Sequence, residues 1–284
     1  MKLKQRLPKL ACHLVLIAGS VLCLFPLAWM IMTSLKPIDE TMTMPPKWLP
    51  SVFEWGNYAK AVLYQRDKLG YIPFLRYFLN TLYIVVMTVP GCLLSNAMVA
   101  YGFARIKWRG RETLFALTLA TMMIPFPVTM VPMYVLFRHL HWIGTFRPLW
   151  VGAWFGGAFN IFLLRQFFRS IPEELSDAAR VDGASEWRIF WQIILPLAKP
   201  ALAVVALFHF MYVWNDFMGP LIYLQDQSQF TLALGLQAYQ SQHGGTEWNM
   251  LMAAATIMVA PVIVLYFFTQ KTFIQGITVT GLKG

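Results

Sequence analysis

Charged side chains are scarce in this chain and are missing altogether from long stretches of it. Lys, Arg, Asp and Glu make up 13% of the 284 residues, whereas an ordinary soluble domain carries about 25%. None of the four occurs in Ala11–Thr33, Tyr77–Ala104, Thr113–Phe137, Pro148–Leu164, Pro200–Asn215 or Trp248–Gln270. About 20 apolar residues cross a bilayer as a helix that satisfies its own hydrogen bonds. The pattern excludes a soluble domain and predicts an all-α integral membrane protein with six transmembrane helices.

Two of the six stretches are short. We expect Arg165 to extend the fourth by reaching the membrane interface, and the fifth to continue past Asp216 to about Tyr223. Prolines inside the stretches are expected to mark kinks or packing sites rather than helix ends. The first stretch is too long for the core of a signal peptide, so it is predicted to be a retained helix.

Cysteine is also scarce, and the common nucleotide and metal motifs are missing. Cys12, Cys23 and Cys92 all lie in apolar stretches, and their odd number and spacing argue against a disulfide framework and against a metal site. His139 and His141 have no carboxylate or cysteine at a ligand spacing. No G-x-x-x-x-G-K-[ST] motif occurs. The chain is therefore predicted to be no enzyme and to bind no metal or cofactor itself.

The net charge of +10 is distributed unevenly between the loops. In a six-span arrangement, 15 of the 23 Lys and Arg residues lie on the side of the two termini, in the N-terminal tail, loop 105–112, loop 165–199 and the C-terminal tail. Loops rich in Lys and Arg stay in the cytoplasm. Both termini are predicted to be cytoplasmic, with loops 34–76, 138–147 and 224–247 outside, and nucleic-acid binding has no support.

The long cytoplasmic segment 165–200 carries five cations and five anions. Ser170 and Glu173 have the spacing of a capping box, and Gly183 is a suitable helix stop. A second helix is predicted from about Ser185, with one apolar stripe: Trp187, Phe190, Trp191 and Ile194. Two short helices with a glycine between them could form a docking surface for a soluble partner; a loop that packs on its own bundle is the alternative.

The residues Asp177-Ala-Ala-Arg-Val-Asp-Gly183, followed by Ile193-Ile-Leu-Pro196, closely resemble the EAA loop of ABC importer permeases. The family usually has glutamate where this chain has Asp177. The resemblance implies the type I ABC importer permease fold and a coupling helix that docks on a cytoplasmic ATPase subunit. The residues implied to couple to the ATPase are Glu174, Asp177, Ala178, Ala179, Asp182, Gly183, Ile193, Leu195 and Pro196.

Further motifs are similar to carbohydrate-importer permeases of the maltose-permease type. They are Ala100-Tyr-Gly-Phe-Ala-Arg105, Met123–Pro132, Trp214-Asn-Asp-Phe217 and Gln275–Gly284. The resemblance implies a multi-pass protein of a bacterial or archaeal cytoplasmic membrane. It also implies a heterodimer with a sister permease, two ATPase subunits that hold ATP and Mg²⁺, and an extracytoplasmic solute-binding protein. The chain would be a single transmembrane domain, 1–284: a tail and first span (1–33), a core at about 72–271, and the coupling loop (165–200).

Three further sets of residues are candidates for contacts. Tyr212, Trp214, Asn215 and Asp216 are predicted to line the solute pathway, although Asp216 could instead order helix packing near the interface. The external-loop residues Ser241, Gln242, Gly244, Gly245 and Thr246 are expected to probe the binding protein, unless they form a plain surface loop. Gly276, Gly281 and Lys283 are expected to place the C-terminal tail against the ATPase.

The solute is expected to be a sugar or a related compound. Because the apolar stretches contain no arginine for a phosphate, a neutral sugar is favoured over glycerol phosphate or another polyol. A secondary transporter and a membrane enzyme that acts on lipid are rival interpretations of the chain. The first would require inverted repeats and intramembrane ionisable relays, and the second would require clustered His, Asp or Glu; neither pattern is found.

Overall fold

Helix dominates the computed structural model of the chain, which describes residues 2–240 and 245–281, with side chains for residues 9, 12–240 and 245–270. The α-helices are α1 (Lys2–Ser34), α2 (Gly56–Leu63), α3 (Arg66–Leu69), α4 (Pro73–Ala104), α5 (Arg111–Ala120), α6 (Phe126–His139), α7 (Arg147–Trp150), α8 (Ala158–Ser170), α9 (Glu173–Val181), α10 (Glu186–Ile189), α11 (Leu195–Leu197), α12 (Lys199–Trp214), α13 (Met218–Tyr223), α14 (Leu232–Gly235) and α15 (Trp248–Gly281). No strand occurs among the described residues. Five short 3₁₀ segments and one π-helical turn, Phe190–Ile194, lie between the α-helices.

Three of the helices contain segments that are long and apolar enough to cross a membrane unaided. They are Cys12–Ser34 in α1, Pro73–Ala104, which is all of α4, and Trp248–Gln270 in α15. They match the first, second and sixth uncharged stretches. Pro90 lies inside α4 and Pro261 inside α15 without ending either helix, as expected for those two prolines.

The third uncharged stretch is broken, so the expectation that its prolines would not end a helix is wrong at Pro125. The segments Arg111–Met123 and Phe126–His139 meet at an angle of 96°. Pro125 itself is extended, with φ −70° and ψ 144°, and Ile124 before it is also extended. Proline disfavours helical geometry in the residue that precedes it, which accounts for a break at this position.

The fourth stretch is also interrupted. α7 is followed by the 3₁₀ segment Val151–Phe155 and by Gly156 at φ +83°, and α8 begins only at Ala158. The Arg165 side chain is buried within the protein: it is 3% exposed and pairs with Glu112 at 2.8 Å. Its guanidinium carbon also lies 3.9 Å from the centre of the Phe115 ring. These partners compensate for burying the charge.

The fifth stretch differs from the expectation at its C-terminal end. α12 ends at Trp214 and α13 begins at Met218, so the helix does not run unbroken to Tyr223. Asp216 Oδ1 accepts a hydrogen bond from the Gly219 amide at 3.0 Å, which ties the turn between the two helices. At its N-terminal end, α12 meets the segment Glu186–Leu197 at 78°.

The chain forms two compact units. The first contains the residues up to Leu75 together with Leu236–Pro261. In it, the loop after α1 is held by Glu40, a buried carboxylate that accepts hydrogen bonds from Lys47 Nζ at 2.6 Å and from the Ser51 amide at 3.0 Å. These bonds hold the pKa of Glu40 low, at about 2. Asn57 Nδ2 donates to the carbonyls of Ser34 and Lys36, both at 3.0 Å.

The second unit contains Arg76–Gly235 and the chain from Val262 onward. Its apolar core joins α4, α8, the segment after Ser185, and α12. Its members that are fully buried are Ala100, Leu164, Phe168, Ile189, Ile194, Ala198 and Val205. Because the short helices at 173–197 share this core, they are held as part of the bundle and are not a free loop.

Candidate functional site

The helix α9 ends where the sequence predicted, at a left-handed glycine. Gly183 has φ +78°, and no heavy atom lies within 4 Å of the position that a Cβ would take. The Ala184 amide donates to Ala179 O at 2.9 Å and the Gly183 amide to Arg180 O at 3.0 Å, which is the Schellman arrangement. The next helix, α10, begins at Glu186, close to the predicted start, and Ser185 is its N-cap: the Ser185 Oγ accepts a hydrogen bond from the Arg188 amide at 3.3 Å.

Two details of this segment differ from the sequence prediction. Ser170 does not cap α9, because its Oγ donates to Phe167 O in the preceding helix at 2.7 Å, and Pro172 holds the N-cap position. The predicted stripe also divides: Phe190 and Ile194 are buried, but Trp187 and Trp191 are 61% and 41% exposed. The π-helical turn at 190–194 changes the helical register, and Ile189 takes a buried position instead.

A charged network fixes the angle between α9 and α10. Arg180 donates from Nε to Glu186 at 2.7 Å and from Nη1 to Asp177 at 2.6 Å. The hydrogen bond to Glu186, followed by the charge of Glu186 and the contact with Asp177, raises the pKa of Arg180 above its ordinary value. The Tyr101 hydroxyl donates to the other carboxylate oxygen of Glu186 at 2.6 Å. Tyr101 belongs to α4, so the network joins the two short helices to the C-terminal end of that helix.

The residues 100–105 form the support of this segment. Ala100 is fully buried in the core. Arg105 Nη2 donates to the carbonyl oxygen of Ile171, two residues before α9 begins. Lys107 lies 3.7 Å from Glu173, the first residue of α9. This part of the chain therefore holds the segment before α9, through Arg105, and the start of α10, through the bond from Tyr101 to Glu186.

The nine predicted coupling residues divide into an outer and an inner set. Glu174, Asp177, Ala178, Asp182, Gly183 and Pro196 are exposed. Ala179, Ile193 and Leu195 are partly buried and pack on the core. The outer surface also contains two apolar side chains that the sequence analysis did not select, Leu175 at 44% and Val181 at 89% exposure. Exposed apolar groups bordered by carboxylates are suited to contact with another protein.

A cavity of about 520 Å³ lies beside the interrupted fourth stretch. Its polar lining comes from Thr88, Cys92, Asn96, Asn160, His209 and Tyr212. Asn96 Oδ1 accepts a hydrogen bond from the Gly157 amide at 2.7 Å, so a side chain satisfies a backbone group that the break in the helix exposes. Non-helical backbone at membrane depth is tolerated where it is buried in protein or lines a water-filled cavity.

A second cavity, of about 400 Å³, shares part of its wall with the first. The residues that line both are Pro148, Leu149, Gly152, Tyr212 and Val213. Asp216, Thr231 and Tyr223 line the second cavity only. The two spaces are therefore neighbours along one face of the fourth and fifth stretches.

The sequence also matches a known family. The model of "Binding-protein-dependent transport system inner membrane component" matches residues 97–279, a region that contains α9, α10 and most of the residues that line the two cavities. The chain belongs to this family. It is therefore a multi-pass permease of the inner membrane, as the resemblance of its motifs implied.

Several relatives of this permease are similar over nearly their whole length. The arabinooligosaccharide permease AraQ of Bacillus subtilis (strain 168) is 32% identical over 278 residues, which cover 97% of this chain and 96% of the relative. The diacetylchitobiose uptake permease NgcG of Streptomyces coelicolor is 34% identical and covers 91% and 84%. The sn-glycerol-3-phosphate permease UgpE of Yersinia pestis is 30% identical and covers 94% of each chain.

A solved structure has the same fold. It is a chain of a bacterial ABC transporter that imports the acidic polysaccharide alginate, with a TM-score of 0.78 and 23% identity over 94% of this permease and 97% of that chain. A second chain, from an alginate ABC transporter in complex with a pentasaccharide-bound periplasmic protein, has a TM-score of 0.65 and 17% identity over 95% and 96%. The permease thus has the type I ABC importer fold.

The predicted solute-pathway residues of the permease do not all reach the cavities. Tyr212 lines both and is 68% exposed, and Asp216 lines the second. Trp214 is 2% exposed and packs on Phe210. Asn215 is exposed, and its Nδ2 donates to Met211 O at 2.8 Å. Trp214 and Asn215 line neither cavity.

Sequence reasoning missed three polar residues of the first cavity, Asn96, Asn160 and His209. The signal that could have identified them is the Gly156-Gly157 pair inside an uncharged stretch. A glycine pair can break a helix there, and a broken helix in a membrane needs polar side chains nearby. Asn96 and Asn160 are the amides closest to that pair in the second and fourth stretches.

The other candidate residues are only partly described. Ser241, Gln242 and Gly244 lie outside the described residues, as does Lys283. Gly245 has φ +107°, and Thr246 O accepts from the Trp248 amide at 2.9 Å at the start of α15. Gly276 and Gly281 lie within α15. Over residues 2–240 and 245–281, no group of three or more His, Cys, Asp or Glu side chains is placed to hold a metal ion.

Proposed function

We propose that this permease is one of two membrane subunits of an ATP-driven carbohydrate importer, moved by a separate ATPase that grips α9 and α10. The proposal depends above all on one observation. Two short helices with exposed Leu175, Val181 and Trp187 are tied to α4 through Tyr101 and Arg105. An element that is firmly held at its base, and exposed on its outer surface, can transmit force from a partner to the bundle.

The proposed importer also has a defined topology and set of partners. The permease crosses the membrane six times with both termini in the cytoplasm, and 1–284 is a single transmembrane domain. Its partners are a sister permease, two ATPase subunits that bind ATP and Mg²⁺, and an extracytoplasmic binding protein. The permease binds no metal or cofactor, catalyses no reaction and binds no nucleic acid. In support, one solved transporter of this fold is in complex with a periplasmic protein.

A carbohydrate is the proposed solute because two of the similar permeases are named for oligosaccharides, and the cavities of this chain are suited to such molecules. Glycerol phosphate remains the second candidate, since the permeases named for it are 30% identical. The two cavities offer no Lys or Arg to a phosphate among their described lining residues. That favours the carbohydrate.

The proposed mechanism is alternating access. ATP draws the two ATPase subunits together, and they move the attached α9 and α10 helices of both permeases. Rigid-body movement of the bundles opens the cavities toward the binding protein, and ATP hydrolysis returns them to the inward state. External-loop residues 241–246 contact the binding protein in this scheme, and the C-terminal tail contacts the ATPase.

The test is to replace Gly183 by aspartate in the reconstituted importer. A side chain at φ +78° strains the turn that closes α9, so we expect normal membrane insertion and ATPase binding but a loss of solute transport per ATP hydrolysed. The matched control is Gly70→Asp, because Gly70 has φ +74° and equally open surroundings but lies in the predicted external loop. Full transport by the Gly183→Asp variant would contradict the proposal.

A further inference from the structure

The first cavity combines hydrogen-bonding groups with exposed aromatic rings. Phe159, Phe208 and Tyr212 line it and are 47%, 42% and 68% exposed. The rings of Phe159 and Phe208 lie 6.2 Å apart between centres. The polar groups are the imidazole of His209 and the amides of Asn96 and Asn160. A few convergent polar groups in a mainly apolar hollow of about 520 Å³ are typical of a small-molecule site.

His209 supplies a buried polar atom that the protein leaves unused. Its Nε2 is buried and has no hydrogen-bond partner among the described residues. The ring stacks near Tyr212, with centres 6.1 Å apart. Buried polar atoms are nearly always paired, and an unpaired one calls for a water or a ligand. An unpaired nitrogen on the wall of a cavity therefore indicates that something else occupies the space beside it.

The amides are held in fixed positions. Asn160 Nδ2 donates to Cys92 Sγ at 3.3 Å, and Asn96 Nδ2 donates to Cys92 O at 2.6 Å. Asn96 Oδ1 is occupied by the Gly157 amide. Asn160 Oδ1 accepts no hydrogen bond within the described part of the chain, so it is available to a hydroxyl group. The site thus offers an acceptor on α8 and an imidazole on α12.

The side chains that line the two cavities are unfavourable to an anionic solute. None of the described residues that line the first cavity is Lys, Arg, Asp or Glu, and Asp216 is the one charged residue among those that line the second. A carboxylate in a weakly polar surrounding repels a phosphate or a uronate strongly. Uncharged hydroxyl groups, in contrast, can pair with Asn160 and His209 while the aromatic rings cover the apolar faces of a sugar ring.

We infer that this subunit itself contains a solute subsite, formed by Asn160, His209, Tyr212, Phe159 and Phe208, which takes an uncharged sugar unit and rejects anionic ones. The inference rests on the proposed carbohydrate function and adds the place and the charge selectivity of the contact. His209 and Asn160 bind the hydroxyl edge, and Tyr212, at the boundary between the two cavities, covers a ring face as the sugar passes.

The test uses the complete importer in proteoliposomes, with Cys12, Cys23 and Cys92 replaced by serine. Tyr212→Cys places one thiol in the cavity, and Phe159→Cys is a second reporter if the first fails to assemble. Arabinotriose and diacetylchitobiose are the neutral probes, and sn-glycerol 3-phosphate and an alginate trisaccharide are the anionic ones. A neutral probe that is transported should slow alkylation of the thiol, and the anionic probes should not. Tyr266→Cys, at an exposed position of α15, is the control and should react at the same rate throughout.

A second readout concerns hydrogen bonding. His209→Leu keeps most of the volume, and it should lower kcat/KM for transport of the neutral sugar about tenfold, the effect of one lost hydrogen bond, while ATP hydrolysis stimulated by the binding protein persists. If the sugar is imported but protects neither thiol, and if His209→Leu has no effect, the inference is overturned and the proposed function still stands. Protection by the anionic probes would overturn the charge selectivity. Import of no carbohydrate at all would overturn the proposed function and the inference with it.

Discussion

Replacing Tyr101 by phenylalanine removes one hydroxyl group and leaves the ring in its place, 5.1 Å from the Phe190 ring. The hydroxyl donates to Glu186 at 2.6 Å, and a hydrogen bond to a charged group contributes about 1.5–3 kcal/mol. The Glu186 side chain is 42% exposed and also holds Arg180, so water can replace the lost donor. We therefore expect a cost of about 1 kcal/mol, or about fivefold in the equilibrium between the held and the released segment.

The assay measures solute imported and ATP hydrolysed in the same proteoliposomes. Because the released segment still binds the ATPase but no longer moves α4, Tyr101→Phe should raise the ATP consumed per solute by up to about fivefold. Tyr266→Phe makes the same chemical change on the exposed surface of α15 and should leave the ratio unchanged. A Tyr101→Phe importer that assembles normally and keeps the original ratio would refute the idea that this hydrogen bond transmits force.

Four more substitutions, at three positions, test local features of the structure. Gly183→Ala should destabilise the end of α9 by about 1 kcal/mol, because Gly183 has a φ of +78°. Gly183→Asn should destabilise it less, since asparagine tolerates the left-handed region. Hydrogen exchange at the Ala184 amide should therefore be fastest in Gly183→Ala, slower in Gly183→Asn and slowest in the unchanged chain. Gly91→Ala should lower the thermal stability of the detergent-purified permease, because a Cβ at this position would lie 2.5 Å from the Trp154 ring. Moving the ring would break the hydrogen bond from Trp154 Nε1 to Met87 O. An unchanged melting temperature would contradict this prediction. Glu40→Gln should speed hydrogen exchange at the Ser51 amide at pH 7. In the unchanged chain the pKa of Glu40 is lowered to about 2, so its stabilisation should be complete above the ordinary pKa of 4.5 and be lost as the pH falls toward 2.

The spanning helices and the turn at Gly183 could be predicted from the sequence because each depends on a local property. Uninterrupted apolar runs form α4 and the apolar part of α15, and α9 ends at a glycine that follows an amphipathic segment. Predicting these features requires no knowledge of which helices pack against them. The segment proposed to couple to the ATPase could be selected for the same reason, since its motif is contiguous in the chain.

The errors arose where distant residues decide the conformation. The burial of Arg165 was not predicted, because its partner Glu112 lies 53 positions away and pairs with it only in the folded bundle. The broken third and fourth stretches looked like plain apolar helices, since the side chains that make a break tolerable, such as Asn96 for Gly157, come from another helix. The same holds for the first cavity, whose lining residues come from three separate parts of the chain.

The most direct test of the central claim is the position of α9 relative to the membrane and the ATPase. Val181 is 89% exposed, so Val181→Cys, with the three natural cysteines replaced by serine, provides an accessible thiol on α9. We predict that a membrane-impermeant maleimide labels it only after the cells are opened, and that a short bifunctional reagent crosslinks it to the co-purified ATPase subunit. Labelling from outside intact cells, or no crosslink in an importer that is actively transporting solute, would contradict the account.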